Sequence, residues 1–247
     1  MTQTVDRAID IIEFIAEKPR SLGEIATRQR VHKSTALRLL QTLESRGFAR
    51  RDSKGLYLIG FSMIAASQRA LDALDTYGAA HPHLVNLSAE LGHTLHLGQL
   101  VGDEVLYVDK VEGRGAVKMY SSVGGTAVVQ TSGVGKAILA FVEEPLRQRL
   151  LEQVTYEAYT QTSITTPEEL AVELERTRER GWAEDNGEFE AEINCVAVPI
   201  RNGQGLVRNA ISLTALCALC SLEALRSCVP VLVATATEIS RDCGWTR

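Results

Sequence analysis

Two hydrophobic rhythms divide this chain and limit what it can become. Between Thr4 and Glu17, the residues Val5, Ala8, Ile9, Ile12 and Ile15 or Ala16 recur at spacings of three and four, the mark of one apolar helix face. From Thr94 the period falls to two, so Thr94–Val101 and Glu104–Val111 read as strands around a turn at Gly102-Asp103. A helical head followed by a stranded body implies an α+β protein with separate layers. At 247 residues the chain can bury a core in each of two modest domains or in one large one. The expected division is a first domain over 1–60, a linker helix over 61–78 and a second domain over 79–247.

Within the head, Pro19 ends the first helix, and Ser21-Leu22-Gly23-Glu24 has the spacing of a capping box that starts a second. Leu22, Ile25 and Ala26 give that short helix its inner face. A break at Arg30-Val31 leads into a third helix over His32–Leu43, with Ala36, Leu39, Leu40 and Leu43 on one side. Lys33, Ser34, Thr35 and Arg38 gather at its first turns and point away from that side. Gly47 ends the helix. Two short strand-like runs follow, Phe48–Arg51 and Leu56–Ile59, joined by the turn segment Asp52–Gly55. Helix, turn, helix and basic hairpin together describe a winged helix-turn-helix. The first turns of the third helix then enter the major groove of double-stranded DNA. Lys33, Ser34, Thr35 and Arg38, with Ser21 and His32 beside them, are the expected DNA contacts, and Arg50, Arg51 and Lys54 of the hairpin are expected on the backbone. A winged helix that binds protein instead is the alternative. Phe61, Ile64, Ala65, Leu71 and Leu74 form an apolar stripe on the next helix, Phe61–Tyr77. That stripe suits packing across a homodimer or dimer of dimers on a palindromic operator.

Charge supports the division. Residues 1–60 carry eleven Lys/Arg against seven Asp/Glu, while the remainder carries fifteen against twenty-four. A basic head on an acidic body fits a separate nucleic-acid module, because phosphate neutralisation supplies most non-specific affinity. The N-terminus has no secretory pattern and no stretch approaches the roughly 18 apolar residues of a membrane span, so a cytoplasmic protein without membrane contact is expected. The five cysteines all fall in the last quarter of the chain. Cys217 and Cys220 have a CxxC spacing, but nothing nearby completes a zinc site, and no metal or cofactor is expected.

Further along, 116–122 reads as a third strand, Gly133–Phe141 opens a helix, and Pro167 begins another that runs to Arg180. Asn194–Arg201 and Leu206–Leu213 form a hairpin around Asn202–Gly205, and one closing helix spans 221–242. Ser132-Gly133-Val134-Gly135 stands before an apolar helix, where free N–H groups can receive a carboxylate. Ser212 and Thr214 alternate on a strand and face the same side. Met119 and His96 supply candidate walls.

The stretch Lys33–Phe48 and the Tyr57-Leu58-Ile59-Gly60 run resemble the IclR family of bacterial transcriptional regulators. The second half resembles it more specifically, through His96-Leu97-Gly98, Asp103–Glu112, Ser132–Ala137, Glu184–Glu188 and Cys195-x-Ala197-x-Pro199-Ile200. The likeness spans roughly residues 4–243. It implies a ligand-responsive DNA-binding regulator, a repressor of catabolic genes, with a GAF-like second domain that binds a small organic acid. The family's ligand contacts then fall on Gly133, Val134, Asp185, Cys195, Ser212 and Thr214, with Ser132 beside them. Gly181–Asn186 is similar to the branch responding to sugar acids such as 2-keto-3-deoxygluconate. In one departure, Ala215–Cys220 replaces the family's usual Gly-Pro loop and Arg. Two rival readings stay open: an enzyme with Cys195 as nucleophile, served by His93 or His96 and Asp185, and a redox-responsive regulator using Cys217 and Cys220.

Overall fold

The computed structural model describes residues 3–72, 75–114 and 119–246. The chain divides into two compact units, Met1–Ala73 and Leu74–Arg247.

The first unit holds α1 (Gln3–Glu17), α2 (Leu22–Arg28), α3 (Lys33–Ser45), β1 (Ala49–Arg51), β2 (Tyr57–Ile59) and α4 (Phe61–Asp72). Its core is small: Ile11 and Ile15 of α1, Ile25 and Ala26 of α2, Ala36, Leu40 and Leu43 of α3, and Ala49 and Tyr57 from the hairpin. Ser21 caps α2 reciprocally, accepting from Glu24 N–H while the Glu24 carboxylate accepts from Ser21 N–H at 2.8 Å. Asp10 of α1 accepts from Arg28 at 2.9 Å and also from Gln29, which pins α2 to α1. β1 and β2 pair antiparallel with Arg50 opposite Leu58. The Asp52 carboxylate closes their turn by accepting from Lys54 and Leu56 N–H, and Gly55 takes the required positive φ of 83°. Arg20 and Tyr57 exchange backbone hydrogen bonds at 3.0 and 2.7 Å, joining the α1–α2 connection to the wing.

The second unit holds α5 (Asp75–Leu91), β3 (Thr94–Val101), β4 (Glu104–Val111), α6 (Gly133–Phe141), α7 (Glu144–Leu151), α8 (Pro167–Arg180), β5 (Ala183–Asn186), β6 (Ile193–Arg201), β7 (Val207–Leu216), α9 (Leu222–Ser227) and α10 (Val229–Asp242). The five strands form one antiparallel sheet in the order β4-β3-β7-β6-β5. One face carries Leu95, Leu97, Val196, Val198, Ile211 and Leu213 against α5 and α10. The other carries Ala183, Ala197 and Ala210, whose small side chains let α6 lie close. The whole is the α+β arrangement expected: a winged helix-turn-helix, a following helix, and a domain built on an antiparallel sheet.

Three expectations fail locally. The helix expected to end at Tyr77 does not end there: α5 spans Asp75–Leu91 and continues through Pro82. The strand expected over 116–122 falls partly outside the described residues, and Tyr120–Ser122 are loop. The single closing helix is two. Pro230, second residue of α10, has no N–H to donate to the turn before it, so α9 stops and Cys228 joins the pair.

Candidate DNA-reading helix and ligand cavity

The exposed face of α3 carries Lys33, Ser34, Thr35 and Arg38, while Ala36, Leu40 and Leu43 are buried beneath it. His32 caps the helix: its Nδ1 accepts from Ser34 N–H at 3.3 Å and lies 2.9 Å from Ser34 Oγ. The imidazole therefore caps the first turn through Nδ1, and the residue itself is exposed. Ser21 is in a different state. Its hydroxyl donates to Glu24 at 2.7 Å and accepts from Glu24 N–H, so it is committed to the start of α2. On the wing, Arg50, Arg51 and Lys54 are exposed. Arg51 folds back, donating from Nε to Gly55 O at 3.1 Å, whereas Arg50 lies over the Phe61 ring at 5.5 Å.

In the second unit the register of the sheet assembles a polar row. Asp185 on β5 lies opposite Cys195 on β6, and Cys195 opposite Thr214 on β7. In the adjoining row, Ala197 pairs with Ser212 and Ser212 with His96 of β3. Because strand side chains alternate, these residues share one face. Across them lies the start of α6, capped by Ser132, whose Oγ accepts from Gly135 N–H at 3.2 Å. The helix comes close because two glycines permit it: a Cβ at Gly133 would sit 2.7 Å from Cys195 Sγ, and one at Gly98 2.8 Å from Val134 Cβ. Between helix and sheet opens a cavity of about 170 Å³, room for roughly a dozen water-sized spheres.

Met119, Ser132, Gly133, Val134, Asp185, Cys195, Ser212 and Thr214 all line this cavity, and His96 joins them. Tyr107, Ser121, Phe189 and Glu190 line it too and were not singled out in the sequence. Tyr107 could have been found from the period of two on β4; the other three sit on loops, where no period applies.

The chamber combines uncharged donors with two carboxyl groups, Asp185 and Glu190. Burial drives His96 down to about 3, with Lys110 assisting, so its ring is uncharged. His96 Nδ1 lies 3.4 Å from both Ser212 Oγ and Thr214 Oγ1, and Nε2 lies 2.8 Å from Ser121 Oγ. Burial pushes Asp185 up to about 7 against the pull of Lys136. Glu188, beside it, takes Lys136 as an ion-pair partner. The first-turn N–H groups of Gly133 and Val134 have no carbonyl four residues back within the helix, and the helix dipole adds partial positive charge there.

This arrangement does not activate a cysteine. Burial, with Asp185 adding to it, pushes the Cys195 thiol up to about 12, and its sulfur contacts Val196 O at 3.7 Å rather than a base. Burial also raises Cys217 and Cys220, which disfavours thiolate chemistry at either. Among the described residues no group of His, Cys, Asp and Glu is placed to hold a metal ion, and no helix is long and apolar enough to cross a membrane.

Known proteins match both units. Residues 4–53 match the IclR helix-turn-helix domain, and residues 68–241 match the bacterial transcriptional regulator IclR C-terminal domain. The regulator RhmR of Escherichia coli K12 is 33% identical over 97% of this chain and 92% of its own. The transcriptional repressor IclR of the same organism is 31% identical over 80% of this chain and 74% of its own. The crystal structure of Thermotoga maritima IclR superposes with a TM-score of 0.89, at 34% identity, over 99% of this chain and 100% of that one. The chain belongs to the IclR family of bacterial transcriptional regulators.

Proposed function

We propose that this protein is a homodimeric repressor of catabolic genes that releases a palindromic operator when a small carboxylate enters the cavity beneath α6. What carries the reading is the opening of the α6 N-terminus, with Gly133 and Val134, onto a chamber faced by Ser212, Thr214 and His96. Free N–H groups receive the carboxylate, and the neutral donors receive the rest of the molecule. Hydroxyls of Ser121, Ser122, Thr126, Ser212 and Thr214 around the wall favour a polyhydroxylated sugar acid over a bare keto acid.

On the DNA side, Lys33, Ser34, Thr35 and Arg38 read base edges and phosphates, with His32 at the helix cap and Arg50, Arg51 and Lys54 on the flanking backbone. The apolar side chains of α4 supply a pairing surface: Phe61 is 72% and Ile64 60% exposed in the single chain. The E. coli repressor of the same family supports the sign of control.

The test is operator release. Fragments recovered by genomic footprinting are bound to the protein and followed by fluorescence anisotropy while carboxylates are titrated. Release by 2-keto-3-deoxygluconate or a related sugar acid is expected, together with raised transcription of adjacent genes in a deletion strain. A complex insensitive to every carboxylate would overturn the ligand half of the reading, and lowered transcription would overturn the sign.

A further inference from the structure

The cavity sets a buried carboxyl group close to the place prepared for a ligand's carboxylate. Asp185 is only 6% exposed and lines the same chamber as the first turn of α6. Its Oδ1 accepts from Glu188 N–H at 2.7 Å. Lys136, whose charge pulls on Asp185, forms its ion pair with Glu188, and among the described residues no cation forms an ion pair with Asp185. The groups around it are Lys136 from α6, Glu188 and Glu190 from the loop after β5, Cys195 from β6, Tyr107 from β4 and Cys217 after β7. Of these the carboxylates repel a second negative charge, while Cys195 and Tyr107 are held neutral by burial.

We propose that Asp185 is the specificity-determining residue of the cavity, admitting monocarboxylates that present a hydroxyl or carbonyl to it and rejecting dicarboxylates, and that the complex takes up one proton at its side chain. The inference rests on the cavity being the ligand site. With Asp185 protonated, its O–H donates to an oxygen of the ligand, and the ligand's own charge lies at the α6 N-terminus. With Asp185 ionised, the chamber holds two anions, and the one helix N-terminus stabilises the ligand's charge alone. Burial already places this carboxyl at about 7 without a ligand, and a neighbouring anion raises it further. Proton uptake on binding therefore belongs to the range above neutrality, where the free protein has lost the proton and the complex keeps it.

The experiment is calorimetric titration of the full chain with two matched pairs, gluconate against glucarate and pyruvate against malonate. Each is measured from about pH 6 to about pH 9 in buffers of different ionisation enthalpy. At least one monocarboxylate is expected to bind with uptake approaching one proton, and its affinity to fall by up to about tenfold per pH unit above neutrality. Its dicarboxylate partner is expected to bind at least about tenfold more weakly. In Asp185→Asn the uptake disappears and the penalty on the dicarboxylate shrinks. Equal binding within a pair, or binding by the wild-type protein without proton uptake, would overturn the proposal while leaving the ligand site intact. The wild-type uptake decides this even if the variant does not fold. Failure of all four acids to bind, alongside an operator complex that no carboxylate releases, removes the ligand reading and this inference with it.

Discussion

Gly133→Ala puts the close approach of α6 to the sheet under direct test. The added methyl would lie 2.7 Å from Cys195 Sγ and 3.2 Å from Ala197 Cβ, both on the buried side of β6. Ala197 is a single methyl on a paired strand, and Cys195, between Thr214 and Asp185 in the register, can yield only by turning its sulfur into the cavity it lines. Overpacking of this kind costs about 1–3 kcal/mol. Replacing glycine in a helix returns up to about 1 kcal/mol of backbone entropy, less at the first helical position. A net loss of about 1–2 kcal/mol follows, which lowers the melting midpoint by about 2–8 °C for a domain of this size. Cys195→Ala removes the sulfur and leaves only the 3.2 Å contact, so the double variant should recover most of the loss that Gly133→Ala causes. Calorimetry on the four proteins of the cycle yields a coupling of about 1 kcal/mol or more, in the direction of rescue. A Gly133→Ala protein that melts with the wild type would refute the close approach. Additivity in the cycle would show that the sulfur is not what the methyl meets.

Other perturbations address the remaining links. Arg38→Ala should weaken operator binding by about 1–3 kcal/mol in anisotropy titrations, with ligand titration as the control, and loss of both would make Arg38 structural. Lys136→Met should cost about 3–5 kcal/mol by stranding Glu188, and Lys136→Met with Glu188→Leu should recover most of it. Melts of the single and double variants that coincide would disprove that pairing. Asp185→Asn should stabilise the protein at alkaline pH and little in acid. The folded pKa of this carboxyl, about 7, exceeds its ordinary value of 3.8. Its contribution is therefore complete below 3.8 and is lost as pH rises through 7, on the order of a few kcal/mol. A pH-independent difference in melting midpoint between wild type and variant would contradict that assignment. Phe61→Ser with Ile64→Ser should lower the sedimenting mass at micromolar concentrations, and an unchanged mass would place the dimer contact elsewhere.

The sequence was most legible where local chemistry decides structure. The Ser21–Glu24 box, the glycine at 47 with φ 73°, the Asp52–Gly55 turn and the Pro167 start of α8 all came out at the expected residues. It was least legible where distant contacts decide. β5 is four residues, Ala183–Asn186, three of them polar, and has little intrinsic strand preference. It exists because β6 offers it a free edge. α9 and α10 read as one helix because Leu225, Val229, Leu232 and Ile239 keep a helical spacing straight across the Pro230 interruption. The cavity was half legible. The helix cap located Ser132, the family resemblance supplied Gly133, Val134, Asp185, Cys195, Ser212 and Thr214, and the strand period put the last two on one side. Ser121, Phe189 and Glu190 come from loops, whose placement depends on contacts such as Tyr159 against Phe189 and Thr160 on Gly187 O.

The fate of Lys136 explains the character of the chamber. A buried, unpaired ammonium at this position would attract any anion, since Coulomb attraction in a low dielectric is strong and indifferent to shape. Pairing it with Glu188 offsets much of that field, whose remainder still pulls on Asp185, and leaves dipoles as the donors: the first turn of α6, the hydroxyls of Ser212 and Thr214, and a neutral imidazole. Dipoles act only at short range and only along their axes, so attraction through them depends on the ligand's geometry. Glu188 also orients Asp185 through its backbone N–H. The pair thus has two effects on one site. It withdraws a fixed positive charge, and it holds in place the acid whose protonation completes the donor set. A chamber built in this way discriminates by the position of oxygen atoms rather than by charge alone, as the carboxylate response proposed above requires.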